Sequence, residues 1–442
     1  MATDYTDVIR EASAVLVPTI REEVRAGGGD VRDLDALVLE LCRKVGREAL
    51  RTAVVAEAEQ SVKECADRGF RMEADRDIEV NTILGPLCVA APVMRSRAGR
   101  EVCRPVQRRL GIHHKMKTRA LERAMTDFGG NESFERAVKR LKEHYSIEMG
   151  RTTMLRVVEG CAEDAATFVE EKLATAEALY DLPEAERPGV DEMLAELDGC
   201  EIRTGTLVAA KGRTPTGRRK RTRETAWRDV RMGLVRLPGQ ESAAYVGRMD
   251  EYSEVVSRLF RLGILNGLGP LTSTVGIGDG GIGLMESMAD AFPNFRFILD
   301  YYHLAEHVHG AAAAAGLAEP EQAAWVERVM KKATGGRPAA IIKELGDYVG
   351  TGEKEVRNLA AYIKRFRQCI HYEKYQSEGL PIGSGEVESA HRTIPQRRLK
   401  LPGTWWHPTR INSMLALLIL HPNGWWEEFW TWRRSRTQRA AA

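Results

Sequence analysis

The chain has 442 residues, 65 Lys plus Arg against 63 Asp plus Glu, and a hydrophobic share of 43%. That share is too high for a disordered polymer, the net charge of +2 is too small for one, and the length suffices for several buried cores. No run approaches the roughly 18 apolar residues of a membrane helix, and the seven scattered cysteines include no CxxC pair, which argues against a disulfide scaffold or a four-cysteine zinc site.

The acidic opening MATDYTDVIREA lacks the apolar stretch of a secretory signal, and with unpaired cysteines it predicts a cytoplasmic protein, nucleoid-associated when bound to DNA. Residues 1–75 read as a helical N-terminal region. Leu34, Leu37, Val38, Leu41 and Val45 recur at helical spacing, and Gly27-Gly28-Gly29 separates them from a shorter helix. Residues 76–110 change to a small β-rich segment with turn punctuation, so a hairpin is expected. Residues 111–180 return to helix, with Leu121, Met125, Phe134, Ala137 and Leu141 on the apolar face. The break YSIEMG precedes a helix that begins at Arg151-Thr152-Thr153. Helix, glycine turn, helix is the layout of a helix-turn-helix, which makes Arg151 and Thr152 candidate DNA contacts; an ordinary helical hairpin has the same signature.

Pro183 and Pro188 mark a boundary, after which the pattern becomes α/β. VDEMLAELDG, ETAWRDVRMGLVRL and ESAAYVGRM read as strands; a helical stripe runs from Tyr252 to Phe260; STVGIGDGG is a buried strand, and FRFILD the next. The order β-β-β-α-β-α-β-α resembles the ribonuclease-H-like fold, although periodicity alone does not single it out. The core is expected in two parts, 186–317 and 377–442, around a helical insertion at 318–376 with Trp325, Val326, Val329 and Met330 on one stripe. The second part ends in a Trp- and Arg-rich tail, suited equally to DNA and to packing on a partner subunit. Trp325 is expected to pack in a core, with base stacking as the alternative.

Acidic residues carry the candidate chemistry. Asp198 closes a predicted strand before Gly199, Asp279 closes another before Gly280-Gly281, and Glu388 opens a helix after a Gly-Ser-Gly turn. In open sheets, sites gather beyond the carboxyl ends of parallel strands. Three convergent carboxylates would hold two Mg2+ ions about 3.5–4 Å apart for in-line phosphoryl transfer. Spacing alone is weak support, because Asp-Gly after a strand is usually a turn.

Four segments strengthen the pattern: LDGCEIRTG with Asp198, GDGGIGLMESMADAFPNFRFILDYYHLAEHV with Asp279 and a D-x-x-H motif, GLPIGSGEVESAHRTIPQRRLK with Glu388, and LPGTWW. Over about residues 115–430 the chain resembles the ISKra-type insertion-sequence transposases, DDE enzymes related to the Mutator group. The resemblance implies an α/β, ribonuclease-H-like catalytic core with a helical insertion and a mostly helical DNA-binding N-terminal region. It implies Asp198, Asp279 and Glu388 as catalytic, metal-binding acids, with Glu386 as the rival third acid. Asp300 and His303 of the D-x-x-H motif support them; capping or packing is the plainer role for His303. His303, His307 and His309 do not suit a zinc site, since His309 leaves the shared helix face. The cofactor implied is Mg2+, two ions per site, with Mn2+ as a substitute. Many relatives carry paired N-terminal cysteines; here Cys88 and Cys103 stand alone, and no zinc is expected.

Basic clusters are the candidate DNA contacts. From Arg203 to Arg223 there are Lys and Arg residues and no acid, and Arg218, Arg219, Lys220 and Arg221 are expected on a mobile loop between the first strands. Arg397, Arg398 and Lys400 follow Glu388 closely. The expected function is that of a DDE transposase that binds element ends, cuts and joins DNA, and works as a homodimer or larger oligomer on transposon-end and target DNA. The alternatives are a domesticated, non-catalytic DNA-binding protein and a structure-selective ribonuclease-H-like nuclease.

Overall fold

A computed structural model describes residues 5–26, 31–180, 186, 189–213 and 219–441, which form two compact units. The expected Gly27-Gly28-Gly29 break, the boundary prolines Pro183 and Pro188, and Arg218 lie outside the described residues. No helix among the described residues is long and apolar enough to cross a membrane.

The first unit comprises residues 1–129 and 134–157. It opens with α1 (Thr6–Ala26) and α2 (Val31–Asp67), so the N-terminal region is helical. The strands β1 (Phe70–Ala74), β2 (Asp77–Thr82), β3 (Gly85–Ala90), β4 (Val93–Ser96) and β5 (Val102–Cys103) follow, then α3 (Pro105–Leu110) and β6 (Met116–Lys117). The expected hairpin is β2–β3, antiparallel from Asp77↔Ala90 to Thr82↔Gly85. Alternation puts Ile78, Val80 and Val89 on one buried cluster with Ala58 of α2 and Val106 of α3. The helices α4 (Arg119–Asn131) and α5 (Phe134–Tyr145) bury Leu121, Met125, Ala137 and Leu141. The break after Tyr145 includes Ser146 at φ 54°, and α6 (Arg151–Tyr180) begins where the sequence places it.

The second unit, residues 130–133 and 158–440, is built on a five-stranded sheet. Its strands are β7 (Glu192–Arg213), β8 (Arg219–Arg236), β9 (Ala244–Arg248), β10 (Ser273–Gly278) and β11 (Phe295–Leu299), in the order β11-β10-β7-β8-β9. The first three pair antiparallel; β10 lies parallel to both β7 and β11. Crossovers run through α7 (Tyr252–Leu265) and α8 (Leu284–Ala291), whose apolar stripes close on the sheet through Val255, Val256, Leu259, Leu284 and Met288.

After β11 come α9 (Tyr301–Ala314), α10 (Glu319–Thr334), α11 (Pro338–Gly346), α12 (Glu353–Arg365) and α13 (Tyr372–Ser377). The last four occupy the stretch 318–376 that the sequence reads as helical, and Trp325, Val326, Val329 and Met330 are buried in α10. The chain then returns through α14 (Gly385–His391), a π-helical turn over Arg392–Gln396, α15 (Arg397–Leu399), α16 (Pro408–Leu418) and α17 (Trp426–Ala441).

Two expectations are corrected, and the tail gains a packing role within its own chain that leaves Arg434 and Arg436 exposed. Asp198 does not close its strand: β8 keeps pairing with β7 from Leu194↔Arg236 out to Arg213↔Arg219, so Asp198 sits within β7, opposite Met232. Arg219, Lys220 and Arg221 are not on a loop, because the same ladder makes them the start of β8. The Trp- and Arg-rich tail is a helix packed on α6 of its own chain. Phe429 meets Phe168 edge-on, Trp432 donates from Nε1 to Glu171 at 2.7 Å, and Arg433 bonds Asp164 at 2.7 Å.

Candidate active site

The sheet register assembles the site. Glu196 of β7 lies beside Ile277 of β10 in a parallel pair, so two residues further Asp198 and Asp279 flank each other on neighbouring strands. Leu299 of β11 lies beside Gly278, and the Asp300 amide donates to the Gly278 carbonyl at 2.9 Å, which adds Asp300 to the row. The turn after Asp279 needs glycine: Gly280 has φ +75°, and a Cβ there would lie 2.9 Å from Leu299 and Phe366.

Each acid has a different environment. Asp198 is half-buried and its Oδ1 accepts from the Gly199 amide at 2.7 Å. Burial pushes its pKa up to about 6; the charges of Asp279 and Glu388 add to the rise, while the Gly199 amide and His303 oppose it. Asp279 Oδ1 accepts from the Gly281 amide at 2.8 Å, and its backbone carbonyl accepts from the Tyr362 hydroxyl at 2.7 Å. Asp300 is 2% exposed and fully engaged. It caps α9 by accepting from the His303 amide at 2.7 Å, and its Oδ2 accepts from the Ser384 amide at 2.5 Å and hydroxyl at 2.6 Å. One carboxylate thus fixes both the start of α9 and the turn that launches α14.

That turn positions the third acid. Val387 of α14 donates its amide to buried Glu196 Oε2 at 2.9 Å, which ties the helix to the face of β7 that carries Asp198. Burial raises the Glu196 pKa to about 8, the Val387 hydrogen bond opposing, so this carboxyl is protonated at neutral pH. Glu386 is held in a two-point ion pair with Arg236 of β8, at 2.8 and 2.7 Å. Glu388 is exposed, and among the described residues no Lys or Arg pairs with Asp198, Asp279 or Glu388. His303 is half-buried, with Nδ1 3.5 Å from Glu306, and its ring meets His307 edge-on at 4.8 Å. A groove of about 520 Å³ beside it is lined by His303, Glu306, His307, Glu355 and Tyr362.

Two residues at the site escape a reading of motifs. His391 is 3% exposed, and its Nε2 lies 3.6 Å from Asp198 Oδ2. Burial drops its pKa to about 4, with the Asp198 contact opposing and Lys400 adding to the fall, so the ring is neutral. The signal for it is spacing: three residues after Glu388 is the same face of a helix. Glu196, two residues before Asp198, is likewise on the same strand face.

The remaining candidates are dispersed. Arg151 and Thr152 are exposed at the start of α6, in the first unit. Arg219, Lys220 and Arg221 are exposed on β8, well along the strand from Asp198. Arg397 and Lys400 are exposed, but Arg398 is 2% exposed with its guanidinium 4.7 Å from the Trp406 ring centroid, which places it inside the fold.

The acids offer hard oxygen donors; burial is the main cause of the raised Asp198 pKa, and the charges of Asp279 and Glu388 that add to it are ones a divalent cation would balance. In donor chemistry they therefore fit Mg2+. Among the described residues no three His, Cys, Asp or Glu side chains are gathered tightly enough to enclose an ion.

No protein-family model matches the chain, and no curated protein matches it. Among solved structures it is similar to a chain of the Drosophila P element transposase strand transfer complex, at 12% identity and a TM-score of 0.24, over 74% of this chain and 82% of that one. Similarity of that size carries no weight for fold or function.

Proposed function

We propose that this chain is a DDE-type DNA transposase whose five-stranded sheet is a ribonuclease-H-like core. One observation carries the reading: Asp198 within β7 and Asp279 just past the end of the parallel β10 lie side by side, α14 brings Glu388 to them, and no Lys or Arg of the described residues neutralises them. The sequence resemblance to ISKra-type transposases adds to it, as does the order of three antiparallel strands followed by two parallel ones.

Asp198, Asp279 and Glu388 would hold two Mg2+ ions, or Mn2+ in their place. Such ions, when bound, supply Lewis acidity at the scissile phosphate and activate a hydroxyl. The chain's own residues do the rest. Asp300 locks the Ser384 turn and the α9 N-terminus, so Glu388 and His303 hold fixed places about the two aspartates. Tyr362 pins the Asp279 backbone, and neutral His391 limits the swing of Asp198 without neutralising it. Glu386, bound to Arg236, anchors α14 and leaves Glu388 as the third acid. Arg151 and Thr152 on α6, the basic run from Arg218 to Arg221, Arg397 and Lys400 contact DNA, and joining two ends requires a dimer or larger assembly on it.

The test is the gene's own locus with several hundred base pairs of flank, incubated with Mg2+. Nicks at repeat boundaries followed by strand joining, both absent with Asp279→Asn although binding persists, are expected. Boundary binding without any metal-dependent cut means a non-catalytic DNA-binding protein; cuts that ignore the boundaries mean a nuclease. Either result refutes the proposal.

A further inference from the structure

The β7–β8 pair outgrows its sheet. β10 contacts β7 only over Glu192–Glu196, and β9 contacts β8 only over Arg231–Val235, yet the ladder continues to Arg213↔Arg219. Beyond the core the ribbon has one further backbone partner among the described residues. The Trp406 segment bridges to Thr204, with the Gly205 amide donating to the Trp406 carbonyl at 2.8 Å and the Trp406 amide to Arg203 at 3.1 Å. From Asp198 to Ala209 the strand covers about 35 Å at roughly 3.3 Å per residue.

The two faces of this ribbon differ in charge. Directly opposed residues share a face, so Arg203↔Trp227, Leu207↔Arg223 and Ala209↔Arg221 lie together, and Arg219 joins them two residues beyond Arg221. The other face, which continues that of Asp198, carries Ile202↔Arg228, Thr206↔Glu224, Val208↔Thr222 and Lys220, while the acids Glu201↔Asp229 sit at the base of the first face, away from its tip. Arg219, Arg221 and Arg223 thus form a row spaced by about 7 Å. All three are exposed, and among the described residues none makes an ion pair. The base of the row is packed: a Cβ at Gly205 would come 2.8 Å from the Trp405 ring, and the Arg223 guanidinium sits 4.4 Å from that ring's centroid. Trp227, 55% exposed, stands next on the same face with the Lys400 ammonium 5.9 Å from its ring centroid. A stacked guanidinium keeps its edge N–H groups for an anion.

We propose that the β7–β8 ribbon is an arm for duplex DNA, with Arg219, Arg221 and Arg223 taking backbone phosphates far along the duplex from the acidic site. This rests on the DNA reading above. A two-stranded ribbon fits a major groove about 12 Å wide, and a one-sided row of unpaired guanidiniums complements a phosphate backbone. Duplex DNA is preferred over an acidic polypeptide because the charge is regular, linear and carried by an extended element.

The experiment is a salt titration of binding to a mixed-sequence 30-base-pair duplex, comparing wild type, the triple variant Arg219→Gln/Arg221→Gln/Arg223→Gln, and the triple Arg→Lys variant, all of full length. Three lost phosphate contacts reduce the slope of log affinity against log salt by about 2.7, so between 50 and 200 mM salt the wild type loses about 40-fold more affinity than the Gln variant. The Lys variant keeps the wild-type slope, which separates charge from folding. If wild type binds the duplex and the Gln variant has the same slope, the arm is refuted while the DNA reading stands. If wild type shows no salt-dependent binding, both fall.

Discussion

Replacing Glu196 with Gln isolates the energetic cost of organising the site. Glu196 is 1% exposed, its Oε2 accepts from the Val387 amide at 2.9 Å, and burial raises its pKa to about 8 from an ordinary value of 4.5. The folded chain therefore holds a proton that the unfolded chain releases between those two values. Stability from this group is complete below about pH 4.5 and is lost as pH rises through about 8. At about 1.36 kcal/mol per unit, the loss over the window is on the order of 4–5 kcal/mol. Gln keeps an acceptor for the Val387 amide and cannot ionise. Urea unfolding at half-unit steps from pH 5 to 8.5 should show the wild type losing stability relative to Glu196→Gln, by roughly 1 kcal/mol per pH unit, until the variant is the more stable protein at pH 8.5. A stability difference independent of pH across that window would show that Glu196 is ionised in the fold and refute the reasoning.

Other substitutions separate the acids. Glu386→Gln removes the charge of the Arg236 pair but leaves α14 held through Val387 and Ser384, so cleavage should stay within about threefold at saturating substrate, whereas Glu388→Gln should lower it by a factor of about 10³ or more; single-turnover rates decide between them. Asp300→Asn sets an NH2 group or a weaker acceptor against three donors, from His303 and Ser384. It should cost about 1–3 kcal/mol in chemical denaturation and slow cleavage with little change in DNA affinity.

Much of this was legible in the sequence, and the gaps have physical causes. The strand and helix order of the second unit follows from its apolar runs, and the acids after β10 and at the start of α14 stand where glycine turns place them. The extension of β7 and β8 was not legible. Residues 203–213 and 219–223 are rich in Gly, Thr, Lys and Arg and lack an alternating apolar face, and their strand character comes from pairing across the ribbon. Register was hidden for a related reason: that Asp198 flanks Asp279 depends on the non-local pairing of Glu196 with Ile277. Glu196 and His391 were missed because charged or titratable side chains are usually exposed, and these two are buried between α14 and the sheet. Arg398, expected as a DNA contact, is instead packed against Trp406 inside the fold.

The central claim is that Asp198, Asp279 and Glu388 form one metal site, and iron-directed cleavage of the polypeptide tests it most directly. Fe2+ replaces Mg2+ on the DNA-bound protein, ascorbate and peroxide are added, and the fragments are mapped by mass spectrometry. Breaks clustered near residues 198, 279 and 388, suppressed by excess Mg2+ and lost together in Asp198→Asn, are expected. Breaks confined elsewhere, or none at these three positions, would contradict the claim.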